Sequence, residues 1–153
     1  MMSSRAALQR IKGLKAFANM RETDFRSMVF GQNFTGVTSG GSSATPQQFP
    51  GGAIILGIDA HAYIAGAAAA AGQSANNKQL FALAFSYTNG EALTPGGPIP
   101  AEALLGSGRE PIFPSVPLVV APTQSLLATV QNLTTTTLTI HIAYHALVYR
   151  FAS

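Results

Sequence analysis

From Leu138 to Phe151, apolar and mixed positions alternate with period two. Leu138, Ile140, Ile142, Tyr144, Ala146 and Val148 fall on one face; Thr139, His141, Ala143, His145, Leu147 and Tyr149 fall on the other. A strand turns successive side chains to opposite sides, so this pattern predicts a strand covered mainly on one side. A second run, Leu126–Leu133, precedes it across the threonine stretch Thr134–Thr137, and the prolines Pro117 and Pro122 both lie ahead of that run. Their content of Val, Ile, Thr, Tyr and Leu predicts two central strands of a sheet. The earlier chain must then supply partner strands and a second layer.

Gly51–Ala65 predicts another strand. Ile54, Leu56 and Ile58 alternate with Ile55 and Gly57, and Gly57 marks a bulge or a close backbone approach. Asp59, His61 and Tyr63 would share one of its faces. Gln79–Thr88 predicts the next strand, with Phe81, Leu83, Phe85 and Tyr87 on one side and the turn signal Asn89-Gly90 after it. Ala101–Leu105 fits a helical turn or a short strand, Leu118–Ala121 a short strand ended by Pro122, and Ser27–Phe30 a first strand. Loops are expected at Gly66–Lys78, Pro95–Pro100 and Gly106–Pro117. Six to eight short strands with Gly/Pro loops and no long helix predict an all-β fold, a single jelly-roll β-sandwich. The longer loops suit crossings between two sheets better than the hairpins of an up-and-down barrel.

The N-terminal segment follows a different period. Ala7, Leu8, Ile11, Leu14 and Phe17 or Ala18 recur every three or four residues between Ser3 and Met20, which predicts a short amphipathic helix. Thr35–Gln48, rich in Gly, Ser and Thr, has too little apolar content to pack and reads as a flexible linker. The expected organisation is therefore a basic arm with a helix (1–34), a linker (35–48) and the sandwich (49–153).

Charge sharpens the division. Only 10% of residues are charged, and six of the nine bases, Arg5, Arg10, Lys12, Lys15, Arg21 and Arg26, lie in the arm. A surface so poor in charge suits a chain largely covered by other chains. The six bases are candidate contacts to nucleic acid, an anionic membrane surface or neighbouring subunits. Phe25, Phe30 and Phe34 are either core plugs or candidate anchors in an adjacent subunit. No stretch reads as a signal peptide, and no apolar run reaches the roughly twenty residues a membrane-spanning helix needs.

Little in the sequence suggests catalysis. With no cysteine there is no thiolate nucleophile and no cysteine-based metal site. His141 and His145, four apart on one strand, would stand about 13 Å apart, too far to share one metal ion. Asp59 and His61 are the one close pair of potential ligands, short of a cupin-type set. The acids form no dyad, the serines lack a nucleophile elbow, and the glycine pairs lack the Lys-Ser/Thr of a phosphate loop. Asn132-Leu133-Thr134 matches a glycosylation sequon but reads as a plain turn. The expectation is a non-enzyme with no cofactor, no metal and no small-molecule substrate.

Taken together, FPGGAIILGIDAHAYIA, LFALAFSYTNGEAL, IPAEALLGSG and PLVVAPTQSLLATVQNLTTTTLTIHIAYHALVYRF resemble the small jelly-roll virion proteins of bacteriophages. The likeness spans Phe49–Phe151 and is carried by Pro117–Pro122, Ser125–Thr134 and the aromatic–His–x–L–x–Y ending of Leu138–Phe151. The resemblance implies a structural capsid component of vertex, minor capsid or decoration type, assembled in the host cytoplasm and located in the virion. Its partners would be other capsid proteins and copies of itself, as a trimer or pentamer, with the arm reaching genome, internal membrane or neighbours. A carbohydrate- or receptor-binding module on Tyr63, Tyr87 and Phe113 is the alternative, followed by a cupin-type metal enzyme.

Overall fold

A computed structural model describes residues 24–64, 77–107 and 111–149. The helix expected over Ser3–Met20 lies outside them. Eight antiparallel strands form two four-stranded sheets. They are β1 (Phe25–Val37), β2 (Ser42–Gln48), β3 (Ala53–Ile64), β4 (Phe81–Tyr87), β5 (Ile99–Pro100), β6 (Leu118–Val120), β7 (Ser125–Asn132) and β8 (Leu138–Tyr149). One sheet runs β1-β8-β3-β6 and the other β2-β7-β4-β5. One short α-helix among the described residues, α1 (Ala101–Leu105), follows β5 directly, and Asn77–Gln79 forms a turn of 3-10 helix before β4.

The two C-terminal runs are central strands, but of different sheets. β7 lies between β2 and β4, and β8 between β1 and β3, so Leu133–Thr137 carries the chain from one layer to the other. The alternation has the expected result: Leu138, Ile140, Ile142, Tyr144, Ala146 and Val148 are all buried. They face Leu126, Ala128 and Val130 of β7 and Phe81, Leu83 and Phe85 of β4, and Phe49 joins them between the sheets. Gly57 sits at a register irregularity in the β3–β8 ladder, as its place in the strand pattern predicts.

Thr35–Gln48 is not a linker. It comprises the end of β1, a turn closed by Gly41 N–H donating to the Thr38 carbonyl at 2.9 Å, and the whole of β2. All of β2 pairs with β7, from Ser42 opposite Gln131 to Gln48 opposite Ser125. An edge strand draws its order from main-chain hydrogen bonds to one neighbour, so it needs few apolar side chains and tolerates Pro46. Strand structure accordingly begins at Phe25, and residues 25–48 belong to the sandwich.

Polar side chains join the layers. Tyr144, buried in the core, packs edge-on to Phe49 and Phe85, with ring centroids 5.5 and 6.4 Å away. Its hydroxyl donates to Gln32 Oε1 at 2.6 Å, and Gln32 Nε2 donates to the Thr45 carbonyl of the opposite sheet at 2.8 Å. On the far side, the Tyr87 hydroxyl of β4 donates to the Val119 carbonyl of β6 at 3.2 Å. Asn132, 1% exposed, donates to the Val37 and Thr136 carbonyls and accepts from the Thr134 amide and hydroxyl. The sequon asparagine is thus a clamp between β1 and the β7–β8 crossing.

Burial holds the Tyr144 phenol well above the usual tyrosine range, so the folded chain keeps it neutral. The unfolded phenol ionises near its ordinary pKa of about 10, so this contribution to stability is full below about pH 10 and is lost above it. Urea midpoints should hold steady up to about pH 10 and then fall. Tyr144→Phe should flatten that alkaline fall while costing about 1–2 kcal/mol at neutral pH, because Gln32 Oε1 loses its buried donor.

Candidate interaction surfaces

Alternation gives the β1-β8-β3-β6 sheet an outward face whose rows follow from the register. Asn33, His141 and His61 stand side by side on β1, β8 and β3, and Val29 stands beside His145. All three histidines therefore lie on one face, and His61 and His141 are direct cross-strand partners. Sequence spacing relates His141 only to His145, four residues along the same strand. The pairing with His61 depends on the β3–β8 register, which the irregularity at Gly57 helps set and which alternation does not reveal.

Two of these imidazoles, His141 and His61, have side-chain partners. His141 Nδ1 meets Asn33 Oδ1 within hydrogen-bond distance. That oxygen only accepts, so Nδ1 is the donor in this contact. Tyr63 packs edge-on to the His141 ring at 5.3 Å. His61 Nε2 lies 3.5 Å from Asp59 Oδ2. The Asp59–His61 pair noted in the sequence is thus real, yet among the described residues no three His, Asp, Glu or Cys side chains converge well enough to hold a metal ion.

A third member joins Asp59. Lys78, in the turn Asn77–Gln79 before β4, is 2% exposed and places Nζ 2.8 Å from Asp59 Oδ1. Asp59 Oδ1 also accepts the Ala60 amide at 3.0 Å. The ion pair ties the outward row of β3 to the far end of the β3–β4 crossing. A lysine closing a loop of small residues gives no sequence sign of such burial; only the fold brings it to Asp59.

The other residues singled out by sequence divide in three. Arg5, Arg10, Lys12, Lys15 and Arg21 lie outside the described residues, and Arg26 is exposed at the start of β1. Phe34 is buried in the core and Phe30 packs against it, with its ring centroid 5.0 Å from that of Phe49, so both plug their own chain. Phe25 instead joins Ile54, Leu147 and Leu56 in a separate apolar cluster. Of the aromatic recognition candidates, Tyr63 packs on His141, Tyr87 hydrogen-bonds β6, and Phe113 stacks on Phe85 at 5.6 Å.

Three of the four sheet edges are blunt. β5 has two residues, β6 has three between Pro117 and Pro122, and β2 is polar and contains Pro46. β1 is an edge strand of 13 residues without proline, and its Val29 is 61% exposed. Ile112 and Val116, in the loop before β6, add exposed apolar surface. No protein-family model, curated protein or solved structure matches the chain.

Removing the carboxylate beside a buried ammonium costs more than replacing the pair by apolar groups. Asp59→Ala should lower unfolding free energy by about 3 kcal/mol in urea titrations, and Lys78→Met by about 1 kcal/mol. The Asp59→Ala, Lys78→Met double variant should be more stable than Asp59→Ala alone.

Proposed function

We propose that this chain is a structural capsid component of a bacteriophage, of vertex, minor capsid or decoration type. In this reading it builds or stabilises the shell through contacts with other coat proteins and with copies of itself. The observation that carries the reading is the strand order. β1-β8-β3-β6 opposite β2-β7-β4-β5 is the order expected when a long antiparallel ribbon is wound into a jelly roll, an architecture used repeatedly by viral coats. The resemblance of the C-terminal strands to small phage virion proteins points the same way.

Surface composition supports it. The described body is poor in charge, exposes Val29, Ile112 and Val116, and has one long strand, β1, that ends its sheet among the described residues. Such an edge in a soluble monomer is normally blunted, whereas a subunit that joins neighbours can use it. A cupin-type enzyme would gather its ligands between the sheets. Here that space holds Phe49, Phe85, Tyr144 and aliphatic side chains, and the histidines sit on the outward face. A shell subunit of this kind needs no cofactor and no substrate, and its place would be the virion, after assembly in the host cytoplasm.

The purified chain should sediment as a trimer or pentamer, or bind particles that lack it, and electron microscopy of intact particles should locate it in the shell. Val29→Lys, on the exposed edge, should weaken self-association by about tenfold or more without altering the circular dichroism spectrum. A chain that stays monomeric at roughly 100 μM and is absent from particles would overturn the reading.

A further inference from the structure

Two charges of opposite sign meet away from water where β3 approaches the turn before β4. The Lys78 side chain is 2% exposed, that of Asp59 is 16% exposed, and Lys78 Nζ stands 2.8 Å from Asp59 Oδ1. Taking both ions out of water is costly, and their attraction offsets that cost only in part. A neutral amide in their place would carry no such cost. The surroundings of the carboxyl supply what amide formation needs. Ala60 N–H donates to Oδ1 at 3.0 Å, and His61 Nε2 stands 3.5 Å from Oδ2. Each carboxylate oxygen therefore has its own partner, and the amine sits beside the first. An atom 2.8 Å from Oδ1 is at most about 4 Å from Cγ, a carbon–oxygen bond further on. A small swing of the lysine chain brings it to the roughly 3–3.5 Å at which reaction begins.

We propose that Lys78 and Asp59 join in an intramolecular isopeptide bond, a modification site in which Lys78 Nζ is the nucleophile, Asp59 Cγ the electrophile and His61 the proton carrier. The ammonium first passes one proton to the carboxylate, which leaves a neutral amine beside a neutral acid. The Nζ lone pair attacks Cγ, a C–N bond forms, and the carbonyl electrons move onto Oδ1, where the Ala60 amide supports the charge. The imidazolium form of His61 protonates the hydroxyl at Oδ2, the Cγ–Oδ2 bond breaks and water leaves. The surplus Nζ proton passes back to His61, and Oδ1 becomes the amide carbonyl. An ammonium and a carboxylate have become one amide and one water, with no oxidant, metal or activated donor consumed. The half-exposed His61 side chain marks the way out for that water.

β3 belongs to one sheet and β4 to the other, so the bond ties the two layers covalently beside the start of β4. It also closes the chain from Asp59 to Lys78 into a ring that unfolding does not open. The ion pair is the state from which the bond forms, and the stability changes expected of Asp59→Ala and Lys78→Met are those of that state. The bond stands or falls apart from the capsid reading, since it needs no partner.

Intact mass decides. The full chain, purified in its folded state and held for days, should weigh about 18 Da less than its sequence, the mass of one water. Trypsin acting on the urea-unfolded protein should fail to cut after Lys78, and fragment spectra should place the lost water between Asp59 and Lys78. Lys78→Arg keeps a cation but removes the amine, so it should retain the full sequence mass. In a time course of cell-free synthesis, His61→Ala should lose water about tenfold or more slowly than the unmodified chain. A full sequence mass with ordinary cleavage after Lys78 would overturn the proposal whatever the variants do. So would a loss of water located elsewhere in the chain or retained in Lys78→Arg. A His61→Ala chain that reacts at the unmodified rate would overturn the part given to His61.

Discussion

The sandwich depends on the burial of two inward rows against each other, one from β7 and one from β8. Leu126, Ala128 and Val130 meet Leu138, Ile140, Ile142 and Tyr144; β1 and β3 pair with β8, β2 and β4 with β7, and β6 and β5 add on beyond β3 and β4. Dispersion and dehydration supply the attraction but not its geometry. Orientation comes from the polar atoms that cannot be left unpaired in that layer. The Tyr144 hydroxyl has to find a partner, it finds Gln32, and Gln32 in turn holds the Thr45 carbonyl across the gap. One chain of hydrogen bonds thereby sets how β1 and β2, on opposite sheets, lie relative to the core. Tyr87 with Val119 and Asn132 with Val37 do the same at other points on the rim.

Much of this was legible in the sequence, and the exceptions share a cause. The inward row of β8, the irregularity at Gly57, the turn at Asn89-Gly90 and the strand break at Pro122 follow from local chemistry: side-chain parity, the missing Cβ, the missing amide. The β1 end and β2 resemble a linker in sequence because their apolar content is low, and apolar content is a poor proxy for order at an edge. An edge strand such as SSATPQQ is ordered by the backbone of its neighbour, and composition does not register that. The N-terminal boundary moved to Phe25 for the same reason. The Tyr87–Val119, Gln32–Thr45 and Lys78–Asp59 contacts join residues far apart in the chain. They depend on register and crossing paths, which a single sequence does not encode locally.

Edges and faces then divide the labour of contact. Proline, polarity and short length remove β2, β5 and β6 as pairing templates, which leaves β1 as the long edge. The asymmetry matters for a body with few charges. Charge patterns ordinarily steer association and fix register, and this body has few charges to do either.

The outward face of the β1-β8-β3-β6 sheet is itself divided along β8. At one end Phe25, Ile54, Val119 and Leu147 form a charge-free groove; about 20 Å away, Asn33, His141, His61 and Asp59 form a polar patch whose members already bond to one another. Covering the first releases water from apolar surface and leaves no polar atom stranded. Covering the second would strip water from the half-exposed His61 imidazole. Any segment laid on this sheet is therefore drawn to the groove end and resisted at the histidine end. A polarity gradient along a single strand thus gives this face of the sheet a direction.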